Sequence, residues 1–144
     1  MEMRGVRFLE HTSDIYAEAY GADLREAFEE AGKTIYAILV QDSDSVRPVE
    51  VKKVESTGYD DNSLLYDWLE RLLLLFEIER FVGREVRVLE LSRGESYRVV
   101  GEVVGEKFDP TRHRPGIHIK SPTYWLMEVV EKEDGAYVRF VLDI

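Results

Sequence analysis

Asp60-Asp61-Asn62-Ser63-Leu64-Leu65-Tyr66-Asp67-Trp68-Leu69-Glu70-Arg71-Leu72-Leu73-Leu74-Leu75-Phe76 is the stretch around which the rest of the chain must arrange itself. Its polar opening cluster reads as a helix start. Leu64, Leu65, Trp68, Leu69, Leu72, Leu73 and Phe76 then recur on more than one face of the helix that follows. A surface helix shows a single apolar stripe, so this spacing predicts the most buried element of the fold. Asp67, Glu70 and Arg71 interrupt the apolar run and argue against a membrane span.

On the N-terminal side, Val6 to Glu10 reads as a short strand, and Ile15 to Tyr20 as an alternating strand ended by Gly21. Asp23 with Glu26 three residues on makes a capping box. The helix it opens has a stripe of Leu24, Ala27, Phe28, Ala31, Ile35, Ile38 and Leu39. Gln41 to Ser45 is a loop, and Pro48 opens a strand from Val49 to Glu55.

On the C-terminal side, strands Glu85–Leu91 and Tyr97–Val104 pair through Ser92-Arg93-Gly94-Glu95. Gly105 to Ile119, with Pro110, Pro115 and Gly116, is a loop. Thr123–Glu131 and Ala136–Ile144 form a last hairpin turning at Glu133-Asp134-Gly135. The order is ββαβα followed by two β-hairpins. It implies an α+β fold: a single compact domain over residues 1–144, mostly antiparallel sheet, with two main helices. Trp68 and Trp125 are read as core or sheet residues.

The chain of 144 residues is 44% hydrophobic and 33% charged, which suits one core and gives no sign of disorder. Cysteine is absent, which excludes disulfides, thiol catalysis and zinc–thiolate sites, and the opening residues form no signal peptide. A cytoplasmic location is expected. Gln41 and Asn62 are the only neutral amides. Few thermolabile side chains among many Glu, Arg and Lys point to a heat-loving source, an archaeon. A net charge of −10 disfavours direct nucleic-acid binding, which depends on basic side chains. It suits a basic protein partner or cations.

Three places hold polar residues that a core does not need. In Glu10-His11-Thr12-Ser13-Asp14, Asp14 is either a turn former bonded to its own backbone or an oxygen ligand for a hard cation, with His11 or a hydroxyl nearby. The last strand, Val138 to Ile144, sets Asp143 beside the carboxylate expected at Ile144. At about 4 Å and an effective dielectric near 20, two carboxylates repel by roughly 4 kcal/mol. Asp143 is therefore either a solvated surface acid or, if Asp14 approaches, part of an all-oxygen site for Ca²⁺, Mg²⁺ or Mn²⁺. The third place runs from Lys107 to Lys120. It carries Lys107, Arg112, Arg114 and Lys120 against Asp109, with His113 and His118 in addition. It is either a solvated loop or an anion site stiffened by prolines. The phosphate-binding GxxxxGK[ST], the dinucleotide GxGxxG, HExxH and the GxSxG elbow are all missing.

In their order along the chain, several stretches resemble archease, the small accessory protein of the RNA-splicing ligase RtcB. They are Phe8-Leu9-Glu10-His11-Thr12-Ser13-Asp14, Gly21 to Phe28, Leu64 to Leu73, Gly101-Glu102, Arg112-His113, Ile119 to Tyr124 and Leu142-Asp143-Ile144. The family pattern Lys-Ala-x-Thr-Tyr, commonly followed by His, stands here with Ser121 and Pro122 before Thr123 and with Trp125 after Tyr124. A role for a histidine at that last position is lost.

The resemblance implies an activator without catalysis of its own. Such a protein promotes guanylylation of the ligase's active-site histidine, multiple turnover and nucleotide use beyond GTP during tRNA splicing. It implies a metal site at Asp14 and Asp143 adjoining Ile144. Lys120, Arg112, His113 and His11 become candidates for acting on the partner, and GTP or another NTP is met only through that partner. No membrane is implied. Two other readings stay open: a metal-dependent phosphohydrolase or nuclease acting alone, and a general chaperone or binding module.

Overall fold

The structure, a computed structural model, describes residues 3–10 and 13–144. Seven strands and two helices follow the order β1 (Gly5–Leu9), β2 (Ile15–Gly21), α1 (Leu24–Leu39), β3 (Glu50–Gly58), α2 (Asp61–Glu79), β4 (Phe81–Ser92), β5 (Tyr97–Lys107), β6 (Ser121–Lys132) and β7 (Gly135–Asp143). The strands divide into two antiparallel sheets, β1-β2-β7-β6 and β3-β5-β4. The α+β order and the two C-terminal hairpins are as read from the sequence. The division into two sheets is new.

Packing explains the division. Helix α1 contacts β2 and β7 on one side and β4 on the other, while α2 contacts β6 on one side and β3 and β5 on the other. Both helices thus lie between the sheets, and each needs apolar residues on two faces. Ala17, Ala19, Val138, Phe140 and Leu142 meet them from the four-stranded sheet, and Val86, Val88, Val99 and Val103 from the three-stranded one. Trp68 is fully buried, and its Nε1–H donates to the Phe28 carbonyl at 3.0 Å. Tyr36 Oη–H donates to the Leu72 carbonyl at 2.7 Å, so two buried hydrogen bonds tie the helices. The indole also sits where a Cβ on Gly101 would be, 2.6 Å from that ideal position, which lets β5 approach α2.

Caps follow the sequence closely. Asp23 accepts from Glu26 N–H, and the Glu26 carboxylate reaches back to Ala22 N–H. Asp60 and Ser63 form the reciprocal box at α2. Arg80 ends α2 in the left-handed region (φ 54°), with its guanidinium 4.3 Å from the Phe76 ring. The chain passes directly into β4, which begins at the buried Phe81 rather than at Glu85. Strand β5 likewise extends to Lys107, so the expected loop starts at residue 108. No helix among the described residues is long and apolar enough to cross a membrane.

Candidate functional site

Strands β2 and β7 pair with Ile15 opposite Leu142. Continuing that register by one residue sets Asp14 across from Asp143, although 128 positions separate them in the chain. Side chains directly opposed on antiparallel strands have Cβ atoms about 5 Å apart. Both aspartates are half-buried. Among the described residues, neither carboxylate has an ion-pair partner. On the other side of β7, Ser121 pairs with Asp143, and Lys120 N–H donates to the Asp143 carbonyl at 2.8 Å. Asp14, just before β2, and Lys120, just before β6, therefore flank Asp143 in a row at one end of the sheet, with Ser121 the residue in register with Asp143 on β6.

The row is anchored from beneath. Ile119 and Leu142 are fully buried, which holds the backbone on either side of the polar residues. Lys120 is exposed, and Ile144 is half-buried beside Asp143. His11 and Thr12 lie outside the described residues. Among those described, no group of three or more His, Asp or Glu side chains is arranged to hold a metal ion. A cation at this place would thus draw on two carboxylates, main-chain oxygens and water, a donor set that suits a hard divalent ion. Two adjacent acids without an internal cation fit such an ion.

The basic segment behaves differently from its sequence. Glu106, one residue before it, is nearly buried on β5 and takes three donors. They are Arg112 Nη2–H, Arg47 N–H at 2.7 Å and His113 Nε2–H at 3.0 Å. Burial opposes ionisation of Glu106, but these hydrogen bonds outweigh it and hold the carboxyl down at about 2. His113 is fully buried, and its Nδ1 accepts from Asp109 N–H at 2.8 Å. Both ring nitrogens are engaged, which defines the Nε2–H tautomer. The fully buried ring of His113 is thus a clamp for the loop and cannot itself reach a phosphate, and Arg112 is tied to Glu106 and Asp109. Among the described residues Lys107, Arg114 and Lys120 make no ion pair within the chain.

Glu106 is the residue the sequence reading missed. The available signal was an acid in a valine-rich strand flanked by Gly105, where a lone carboxylate requires partners. Trp125 lies on a strand as expected but is 64% exposed rather than packed.

The chain matches the family model described as the Archease protein family (MTH1598/TM1083) over residues 7–144. "Protein archease" of Sulfurisphaera tokodaii is 37% identical over 99% of this chain and 100% of the relative. That of Aeropyrum pernix is 37% identical over the whole of both chains. Among solved structures, the solution structure of Methanobacterium thermoautotrophicum protein 1598 superposes with a TM-score of 0.81 at 29% identity, covering 97% of this chain and 99% of that one. The crystal structure of a Thermotoga maritima archease, entitled a possible chaperone, shares the fold with a TM-score of 0.60 at 20% identity, covering 94% of each chain. With a family model spanning nearly all its residues and archaeal relatives aligned end to end, this chain belongs to the archease family.

Proposed function

We propose that this chain is an accessory factor of an RtcB-type RNA ligase, promoting guanylylation of the ligase, its multiple turnover and its wider nucleotide use in tRNA splicing. The observation that supports the reading is that Asp143, near the end of β7, has Asp14 just before the paired β2 on one side and Lys120, bonded to its carbonyl, on the other. Asp14 and Asp143, with oxygens of Ile144, would hold Ca²⁺, Mg²⁺ or Mn²⁺. Such an ion, when bound, supplies positive charge where triphosphate oxygens must be neutralised. Lys120 is exposed and tethered through its backbone to Asp143. Its ammonium would meet a nucleotide phosphate or a ligase carboxylate near the acids. Arg112 lies earlier on the same loop, and His113 keeps that loop in shape through Glu106.

In this reading the chain catalyses nothing alone and meets nucleotide and RNA only on the ligase. Its acidic surface seeks a basic protein. The test is RNA ligation under multiple-turnover conditions with the ligase in deficit. Asp14→Ala, Asp143→Ala and Lys120→Ala should each fail to sustain turnover while single-turnover joining by the ligase persists. Full activation by both aspartate variants would end the proposal. Incubating the chain alone with nucleotides, RNA and Mn²⁺ supplies the opposing arm, since turnover there would favour a hydrolase.

A further inference from the structure

A few residues beyond Lys120, strand β6 breaks its pairing. Thr123 pairs with Val141 and Glu128 with Arg139, so residues 124–127 face the single residue Phe140. Leu126 adopts φ 58°, a left-handed conformation that leucine rarely takes. The bulge turns Tyr124, Trp125 and Leu126 outward, 51%, 64% and 41% exposed. Bulges of this kind re-aim side chains beside functional sites, and backbone strain persists where it serves one.

Tyr124, the first of them, meets a second aromatic group on and before α2. Tyr124 stacks on Tyr66 with ring centres 4.5 Å apart and planes 11° from parallel. With Tyr59, 80% exposed, they line a cleft of about 380 Å³ that also holds Asp67 and Glu70. Asp67 accepts from Thr57 N–H at 2.9 Å and lies 3.4 Å from Arg71 Nε, and Glu70 lines the cleft beside Tyr66. Burial and then Glu70 raise the Tyr66 hydroxyl above its ordinary range. Burial, the neighbouring tyrosines, Asp60 and Asp67 do the same for Tyr124. Asp67 and Glu70 in the lining put negative charge beside the rings, which suits a cation.

Elsewhere this molecule covers its aromatic rings with its own cations: Arg7 over Tyr20, Lys52 over Phe81, Arg80 over Phe76 and Arg139 over Tyr137. Among the described residues no cation lies over Tyr59, Tyr66, Tyr124 or Trp125. Tyr59, Tyr66 and Tyr124 line one cleft, and Trp125 and Leu126, next to Tyr124 in the bulge, are exposed as well; exposed aromatic residues so grouped mark an interaction surface. A chain at net charge −10 selects a cationic partner for it. We propose that this cleft docks a protein partner through an arginine flanked by apolar residues. A guanidinium stacks flat on tyrosine and tryptophan and bonds a carboxylate with its edge, which an ammonium cannot do as well. The apolar neighbours of that arginine cover Trp125 and Leu126. The cleft lies roughly 10–20 Å along the strand from Lys120, so a partner held here reaches the acidic row.

The test is an NMR titration of the isotope-labelled full chain with a short peptide bearing one arginine between leucines. A counterpart with citrulline in place of the arginine serves as the control. Expected are shift changes concentrated on Tyr59, Tyr66, Glu70, Tyr124 and Trp125, with the citrulline peptide at least about tenfold weaker. Trp125→Ala and Glu70→Lys should weaken the arginine peptide to the same degree. Tyr59→Ala changes a side chain so exposed that folding is not at stake, and it should do likewise. Shift changes scattered over the acidic surface, equal binding of the citrulline peptide, or unchanged binding by Tyr59→Ala and Trp125→Ala would each overturn the proposal.

Discussion

Asp143→Asn should make the protein more stable and less useful at once. If Asp14 and Asp143 face each other with Cβ atoms about 5 Å apart, unit charges at an effective dielectric near 20 repel by roughly 3 kcal/mol. Both side chains are half-exposed, so water and salt reduce the penalty to about 1 kcal/mol. Asparagine keeps the shape and removes the charge. The bond from Lys120 N–H runs to the main-chain carbonyl of Asp143 and survives the change. With a urea slope of about 1–3 kcal/mol/M, the unfolding midpoint should rise by roughly 0.5 M in chelator at low ionic strength. Urea is preferred because guanidinium is itself a salt and would hide the repulsion. Added Ca²⁺ or Mn²⁺ should reverse the order. At a hundredfold excess over its dissociation constant, a cation stabilises the parent by about 2.7 kcal/mol and the variant much less. Asp143→Asn less stable than the parent in chelator would refute the facing-carboxylate geometry. An equal response of both proteins to the cation would refute the metal site.

Three further outcomes follow from other parts of the molecule. Glu106 has a depressed folded-state pKa near 2, so its contribution is fully present above about 4.5 and lost as pH falls toward 2; discounted for the solvent around Arg112, it is about 1–2 kcal/mol. Glu106→Gln should therefore lower stability at neutral pH and flatten the difference from the parent in acid, read from unfolding midpoints across that window. Gly101→Ala drives a Cβ against Trp68 and the Arg87 carbonyl and should cost about 2–3 kcal/mol by chemical unfolding. Lys120→Ala, at an exposed position, should leave the unfolding midpoint within about 0.5 kcal/mol of the parent, yet reduce multiple-turnover ligation by on the order of tenfold.

How far these features could be read from the sequence depends on the range over which each is encoded. Helix α2 was legible because its leucines and Trp68 recur within a few turns on more than one face, and such a helix must be covered twice. That it would be covered by two separate sheets was not, since the pairing of β2 with β7 joins opposite ends of the chain. The same pairing ends at Ile15 opposite Leu142, next to Asp14 and Asp143, so chemistry could name both acids without showing that the strands carrying their neighbours pair. Trp125, expected in the core or a sheet, does lie on β6, but the two-residue alternation that would decide its face fails where residues 124–127 face Phe140 alone. The charge of the basic segment failed at its edge. Counting from Lys107 excluded Glu106, the acid that neutralises Arg112 and fixes His113. A charge census of a window overstates free charge whenever its boundary cuts a buried pair. Removing Arg112 and His113 from that census leaves Lys107, Arg114 and Lys120, and of these Lys120 alone is bonded to the strand that carries Asp143. In the proposed function the lysine therefore acts through this backbone tie to Asp143, and the net charge of its segment is secondary.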